Sequence, residues 1–166
     1  MLDHLLMLLQ ESQFANWVQA TAFPYVITLH SVGLAILAGL LIVMDLRVLG
    51  FVRGLPLPAF RPLMTVVWVG FFTNAISGAM LFSVDAKKDY YSTLFRTKLS
   101  IIAIGLILGA LIKSSVLDKV QEFSAADAQA PARAKVLATL SLFAWLGAIV
   151  TGRLLAYFTF GDVGIE

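Results

Sequence analysis

The chain has 166 residues, of which 60% are apolar and 13% charged, with a formal net charge of +2 and no cysteine. A soluble domain carries roughly a quarter charged residues, and a chain of this length could not fold so much apolar surface away from water, so the composition points to lipid as the solvent. The missing cysteines exclude disulfides, thiolate metal sites, iron–sulfur clusters and a cysteine nucleophile. The Lys and Arg residues stand at the ends of apolar runs, where they flank a membrane, and form no basic face for nucleic acid.

In chain order, Met1 to Gln10 places Leu2, Leu5, Leu6 and Leu9 on one helical face with Asp3 and Gln10 off it. No basic segment precedes this stretch and its apolar run is short, so it reads as an interfacial helix lying on the bilayer rather than a cleaved signal. Asn16 and Trp17 then fall at headgroup depth. Four apolar runs follow, each long enough for the about 20 residues that cross roughly 30 Å of hydrocarbon. They are about Ala22 to Met44, with Pro24 in its first turn, Leu63 to Val84, about Phe95 to Leu117, and Val136 to Phe160. The third has only 14 uncharged residues, Leu99 to Ile112, and reaches full length when Lys98 and Lys113 snorkel to the two interfaces. Pro56, Pro58 and Pro62 make Gly50 to Pro62 a tight extended link, and Gln121 to Ala134 is the longest polar loop. The expected fold is all-α: one membrane domain over residues 1–166, a four-helix bundle with a short amphipathic interfacial helix at its N-terminus.

Small residues recur at i+4 in every span: Ser31, Ala35 and Gly39; Gly70, Asn74 and Gly78; Gly105 and Gly109; Ala144, Ala148, Gly152 and Ala156. That spacing predicts close helix contacts. Orientation follows from basic residues. The loops after spans one and three carry seven (Arg47, Arg53, Arg61, Lys113, Lys119, Arg133 and Lys135) against four on the other side, Lys87, Lys88, Arg96 and Lys98. The bias places both termini outside the cytoplasm.

An ionisable residue at membrane depth is costly and marks a candidate site. His30, one of two histidines, lies about 12 Å into span one at 1.5 Å per residue. Arg153 and Lys98 fall at comparable outer depths, as do Asn74 and Ser77. Arg153 shares an i+4 face with Trp145, Ile149 and Tyr157. A cationic and aromatic wall opposite one histidine suits an anionic, planar or quinonoid ligand, with Arg153 and Lys98 as counter-charges. The alternative is that Arg153 snorkels or pairs with Asp162, Lys98 caps a short span, and His30 hydrogen-bonds a neighbouring carbonyl. Asp45, at the inner end of span one, is two residues from Arg47 and does not face it; Arg61 or Lys113 is its expected partner.

A bound b haem commonly takes two axial ligands. His30 is the candidate for the iron, and Met80 offers a sixth ligand at similar depth, although methionine more often fills gaps in a core. The other histidine, His4, belongs to the interfacial helix. No Gly-x-Ser-x-Gly turn or nucleotide-binding fingerprint is present.

The stretches Leu29-His30-Ser31-Val32-Gly33-Leu34-Ala35, Asp45-Leu46-Arg47-Val48-Leu49-Gly50, Phe95-Arg96-Thr97-Lys98-Leu99 and Trp145 to Tyr157 resemble an uncharacterised family of small bacterial four-span membrane proteins. More distantly, the spacing of His30, Arg47 and Lys98 is similar to that of membrane-embedded, flavin-free protoporphyrinogen oxidases and copper-resistance membrane proteins. That resemblance implies haem or porphyrin chemistry around His30 and a bacterial inner membrane. The leading expectation is a redox-associated protein holding haem b, a porphyrin or a quinone near His30. The alternatives are an accessory or assembly subunit of a larger membrane complex, or a small homo-oligomeric permease or channel.

Overall fold

A computed structural model describes residues 1–52, 54–119 and 129–161, with side chains to residue 155 and at 157. The elements are α1 (Leu2–Gln10), α2 (Gln13–Trp17), a π-helical turn (Val18–Ala22), α3 (Phe23–Leu49), a 3-10 turn (Leu57–Ala59), α4 (Phe60–Val84), α5 (Ala86–Tyr91), α6 (Thr93–Ile112), a second π turn (Lys113–Leu117) and α7 (Ala132–Gly161). No strand occurs among the described residues, so the protein is all-α.

Four stretches are helical, long and apolar enough to cross a membrane: Gln13–Leu49, Leu57–Val84, Thr93–Leu117 and Ala132–Leu155. The distribution of surface is inverted relative to a protein in water. Val69, Phe72, Ile76, Ile107 and Phe143 are exposed while Asp45, Asn74, Ser77 and Ser141 are buried. Exposed apolar surface on this scale marks contact with a membrane. The chain is a multi-pass membrane protein.

The span boundaries depart from the sequence reading at three places, each for a local reason. The first span starts nine residues early and keeps Pro24 inside a continuous helix, rather than in its first turn. Proline lacks the N–H that would bond the carbonyl four residues back and clashes with that carbonyl; the π turn just before it widens the helix there. Within the second span, α4 begins at Phe60, ahead of the expected start at Leu63, and Pro62 then falls in its first turn, where no amide donor is needed. The link between them is not merely extended. Gly50, at φ +95°, ends α3 in a Schellman turn, with Phe51 N–H donating to Leu46 O at 3.0 Å and Gly50 N–H to Arg47 O at 3.1 Å. The 3-10 turn then buries Leu57 completely. The polar loop expected over 121–134 lies mostly outside the described residues.

The chain divides into two compact units. In the first (Met1–Leu37 and Thr65–Thr93), the N-terminal part of α3 runs antiparallel to α4: His30 is at Gly78, Gly33 at Asn74, and Leu37 at Gly70. A Cβ on Gly33 would stand 2.6 Å from the Asn74 amide nitrogen, so the two backbones touch there. Below this contact, Val18, Ala22 and Val26 form a small core with Met80, Leu81 and Val84. The expected ladder Ser31, Ala35, Gly39 is not the contact face. All three are exposed and Gly39 meets nothing within 4 Å. Spacing defined several possible stripes, and the one that packs is the one carrying His30. At the edge of the unit α1 docks on α5, where Tyr91 donates its hydroxyl to Asp3 at 2.8 Å and Lys87 N–H meets Gln10 Oε1 at 3.3 Å. Leu6 is the one buried residue of α1. The pattern of apolar residues found α1, and gave no sign of six-residue α5.

In the second unit (Ala38–Met64 and Leu94–Glu166), α6 and α7 are antiparallel, with Lys98 at Gly152, Ile101 at Gly147 and Gly105 beneath the Trp145 ring. Leu41 of α3 covers Gly109. Here Gly105 and Gly109 of span three and Gly152 of span four lie at contacts that spacing predicted.

Candidate cofactor site around His30

His30 lies at the eighteenth position of the 37-residue first span, deeper than the sequence suggested because the helix begins earlier. Its partner Asn74 sits ten residues before the end of α4, about 15 Å along the helix at 1.5 Å per residue. For a hydrocarbon layer of roughly 30 Å that is close to the midplane.

The two residues bind each other reciprocally across α3 and α4. Asn74 Nδ2 donates to the His30 carbonyl at 2.8 Å, and His30 Nδ1 lies 3.0 Å from the Asn74 carbonyl oxygen. A carbonyl only accepts, so this contact is made by the tautomer with the proton on Nδ1, whereas Asn74 Nδ2, 3.3 Å from the same nitrogen, would donate to the other tautomer. The carbonyl contact is shorter and Nδ2 already donates to the His30 carbonyl, which favours a proton on Nδ1. Ser77 supports the same assignment: its hydroxyl donates to Thr73 O at 2.6 Å, which turns an oxygen lone pair toward Nδ1 at 3.3 Å. A neutral imidazole with its proton on Nδ1 has its lone pair on Nε2. The ring also has a fixed seat. A Cβ on Gly78 would come within 3.1 Å of His30 Cε1, so glycine lets the imidazole lie against α4 where a larger residue would push the ring back by a few tenths of an ångström.

The other expected site residues fall into separate roles. Asn74 is His30's partner, as a helix-contact residue and as a hydrogen-bonding group. Met80 packs against Val18, Ala22 and Val26, the gap-filling role of a flexible thioether. The remaining four belong to the second unit. The Lys98 stem lies alongside Gly152, its Cε 3.5 Å from where a Cβ would be. Trp145 is fully buried, its ring over Gly105. Arg153 is exposed, with its guanidinium over the Tyr157 ring at 5.2 Å and 3.4 Å from the phenol oxygen. Within this chain Arg153 is therefore not enclosed in the expected cationic and aromatic wall, because Trp145 is buried while Arg153 and Tyr157 are exposed. Each step of four residues advances about 40° around a helix of 3.6 residues per turn. Over the twelve residues from Trp145 to Tyr157 the stripe turns by about 120°, from the interior to the outside.

Asp45 also departs from expectation. Lys113 is bonded to Asp118 at 2.9 Å and Arg61 is exposed, so neither serves it. Arg47 is 4% exposed and turns back on the loop, its Nε donating to Leu55 O at 2.6 Å. Instead Asp45 lies by Ser141 of α7, a residue that sequence reasoning passed over. A lone serine in an apolar helix carries no mark of which neighbour it meets.

Among the described residues no three His, Cys, Asp or Glu side chains come together as a metal-holding group. Comparison of the chain with family models, with curated proteins and with solved structures gave no match.

Proposed function

We propose that this protein is a redox-associated membrane protein that binds a haem or porphyrin through His30. The observation that carries the reading is the 3.0 Å contact of His30 Nδ1 with the Asn74 carbonyl, which favours a proton on that nitrogen. Metal-bound histidines characteristically give their second ring nitrogen to such an acceptor, which fixes the tautomer and raises ligand basicity. The same tautomer separates the candidate cofactors. Nε2 with a lone pair can bind iron, or accept a proton from a pyrrole N–H or a quinol hydroxyl, whereas a quinone carbonyl needs a donor. An iron held by one histidine also fits a porphyrin, which brings four further nitrogen donors, better than a bare ion. When bound, haem would supply one-electron chemistry. The protein's part is to hold the imidazole in one orientation near the midplane, seated on Gly78 and braced by Ser77.

The reading includes a bacterial inner membrane with both termini outside the cytoplasm, on the distribution of Lys and Arg. A second reading, an accessory subunit of a larger complex, is favoured by the reciprocity of the His30–Asn74 pair, which makes His30 a staple between two helices. Mild extraction and visible spectroscopy separate the two. The haem reading expects a Soret band in the purified protein, or on titration with hemin, that disappears in His30→Ala and persists in Ser31→Ala, whose serine is exposed and bonds back to its own helix. A colourless protein that takes up hemin no better than His30→Ala leaves the accessory reading.

A further inference from the structure

The second unit holds a polar group that the His30 site does not use. Asp45, four residues before the end of α3, is 0% exposed, and neither carboxyl oxygen has a hydrogen-bond partner. Two other buried polar atoms in this unit are equally unbonded, the Ser141 hydroxyl and Trp145 Nε1, one turn apart on α7. Ser141 is the polar group beside the Asp45 carboxyl. Four orphaned polar atoms on three side chains are unusual in a native interior, where nearly all such groups are satisfied.

An ionised carboxylate in this position requires a cation or several donors. The nearby charges are committed elsewhere. Arg47, on the same helix, points away by about 200° at 3.6 residues per turn and bonds Leu55 O. Lys113, at the end of α6, is bonded by Asp118, and Arg61, at the start of α4, is exposed. The Ser141 hydroxyl on α7 has not closed on the carboxyl either. A neutral carboxylic acid satisfies this environment with far less, since it needs one acceptor for its own O–H, and Ser141 Oγ is the acceptor at hand.

We propose that Asp45 and Ser141 form an intramembrane proton-binding site, in which Asp45 holds a proton while α3 and α7 are packed together and releases it when that contact opens. The position suits exchange with water. Four residues from the helix end is about 6 Å at 1.5 Å per residue, so a small separation of α3 from α7 at that end admits water to the carboxyl. Protonation and closure are then linked. The proton favours the packed state, and ionisation favours the open one.

Infrared spectroscopy of the full-length protein in bilayers tests this without requiring a reagent to enter the site. At neutral pH the wild type is expected to show the carbonyl stretch of a protonated carboxylic acid, shifted by exchange into D2O and lost as pH is raised. The band is expected to be absent from Asp45→Asn and retained in Asp3→Asn. In parallel, the thermal midpoint of the wild type falls as pH rises while that of Asp45→Asn does not. A wild type without the band at neutral pH, or a band that persists unchanged in Asp45→Asn, overturns the proposal. Should Asp45→Asn fail to insert, the deuterium shift and pH dependence of the wild-type band decide on their own. Neither readout involves a cofactor, so the outcome is independent of the His30 reading.

Discussion

The two polar sites buried among these helices are solved in opposite ways. Around His30 the carbonyl, the amide and the Nδ1 nitrogen pair across two helices, and Ser77 bonds back to its own helix. Around Asp45 the carboxyl and the neighbouring Ser141 hydroxyl are enclosed at 0% exposure with neither of them bonded. The first arrangement fixes a geometry, since each partner holds the other in a single orientation. The second stores a polar requirement that a proton meets. A histidine in a membrane helix and an aspartate in a membrane helix look alike as costly residues; the difference between a rigid site and a switchable one lies in whether the neighbours reciprocate.

The sharpest way to break the first site is steric. Gly33→Ala puts a methyl group 2.6 Å from the Asn74 backbone nitrogen, and backbone cannot yield as a side chain does. A loss of about 1–3 kcal/mol is expected, the usual cost of overpacking, read as a lower unfolding midpoint in detergent. Gly39→Ala, with nothing within 4 Å, is expected to be neutral or slightly stabilising because alanine is the better helix former. Equal effects of the two would mean that the α3–α4 contact runs along a different stripe.

Removing the imidazole's half of the reciprocal pair is expected to cost less. His30→Ala loses the bond from Nδ1 to the Asn74 carbonyl at about 0.6–2 kcal/mol, the range for polar contacts between membrane helices, while Asn74 Nδ2 keeps the main-chain carbonyl of residue 30 as its acceptor and the spans stay inserted. In the second site the same kind of change should cost little. Asp45→Asn is expected to lie within about 0.5 kcal/mol of wild type at neutral pH, within the scatter of substitutions that remove no native interaction. A large destabilisation by Asp45→Asn would show that the carboxylate itself is bonded, and would erase the contrast between the sites.

The smallest effect belongs to the periphery. Tyr91 donates to Asp3, and that bond, with the negative charge behind it, pushes the phenol above its ordinary value near 10. Because the folded-state value is raised, what the bond contributes to holding α1 on α5 is present below the ordinary phenol range and is lost as pH rises through the raised value. Ultraviolet titration should show one tyrosine ionising late, and Asp3→Asn should return it to the others.

Much of this was legible in the residues. Apolar length and sparse charge determine four spans wherever lipid is the solvent, and Gly105, Gly109, Gly70 and Asn74 announced close contacts because small residues permit them. What could not be read was rotation about each helix axis. Ser31, Ala35 and Gly39 satisfy the same spacing as the stripe that packs, and an almost uniformly apolar helix gives no amphipathic signal to choose between them. The same ambiguity hid the meeting of Asp45 with Ser141, and it made Trp145, Arg153 and Tyr157 look like one face although the helix turns away between them. Pro24 was misplaced for a different reason: a π turn is a response of the backbone to proline, and it has no residue signature of its own.

The functional account depends on which nitrogen of His30 bears the proton. With two histidines in the chain, nitrogen-15 labelling of histidine and comparison with His4→Gln isolate His30 in a magnetic-resonance spectrum. A protonated Nδ1 and an unprotonated Nε2 are predicted in the cofactor-free protein, with the Nε2 signal moving when hemin is added. A proton on Nε2, with Nδ1 bare against the Asn74 carbonyl, would contradict the account.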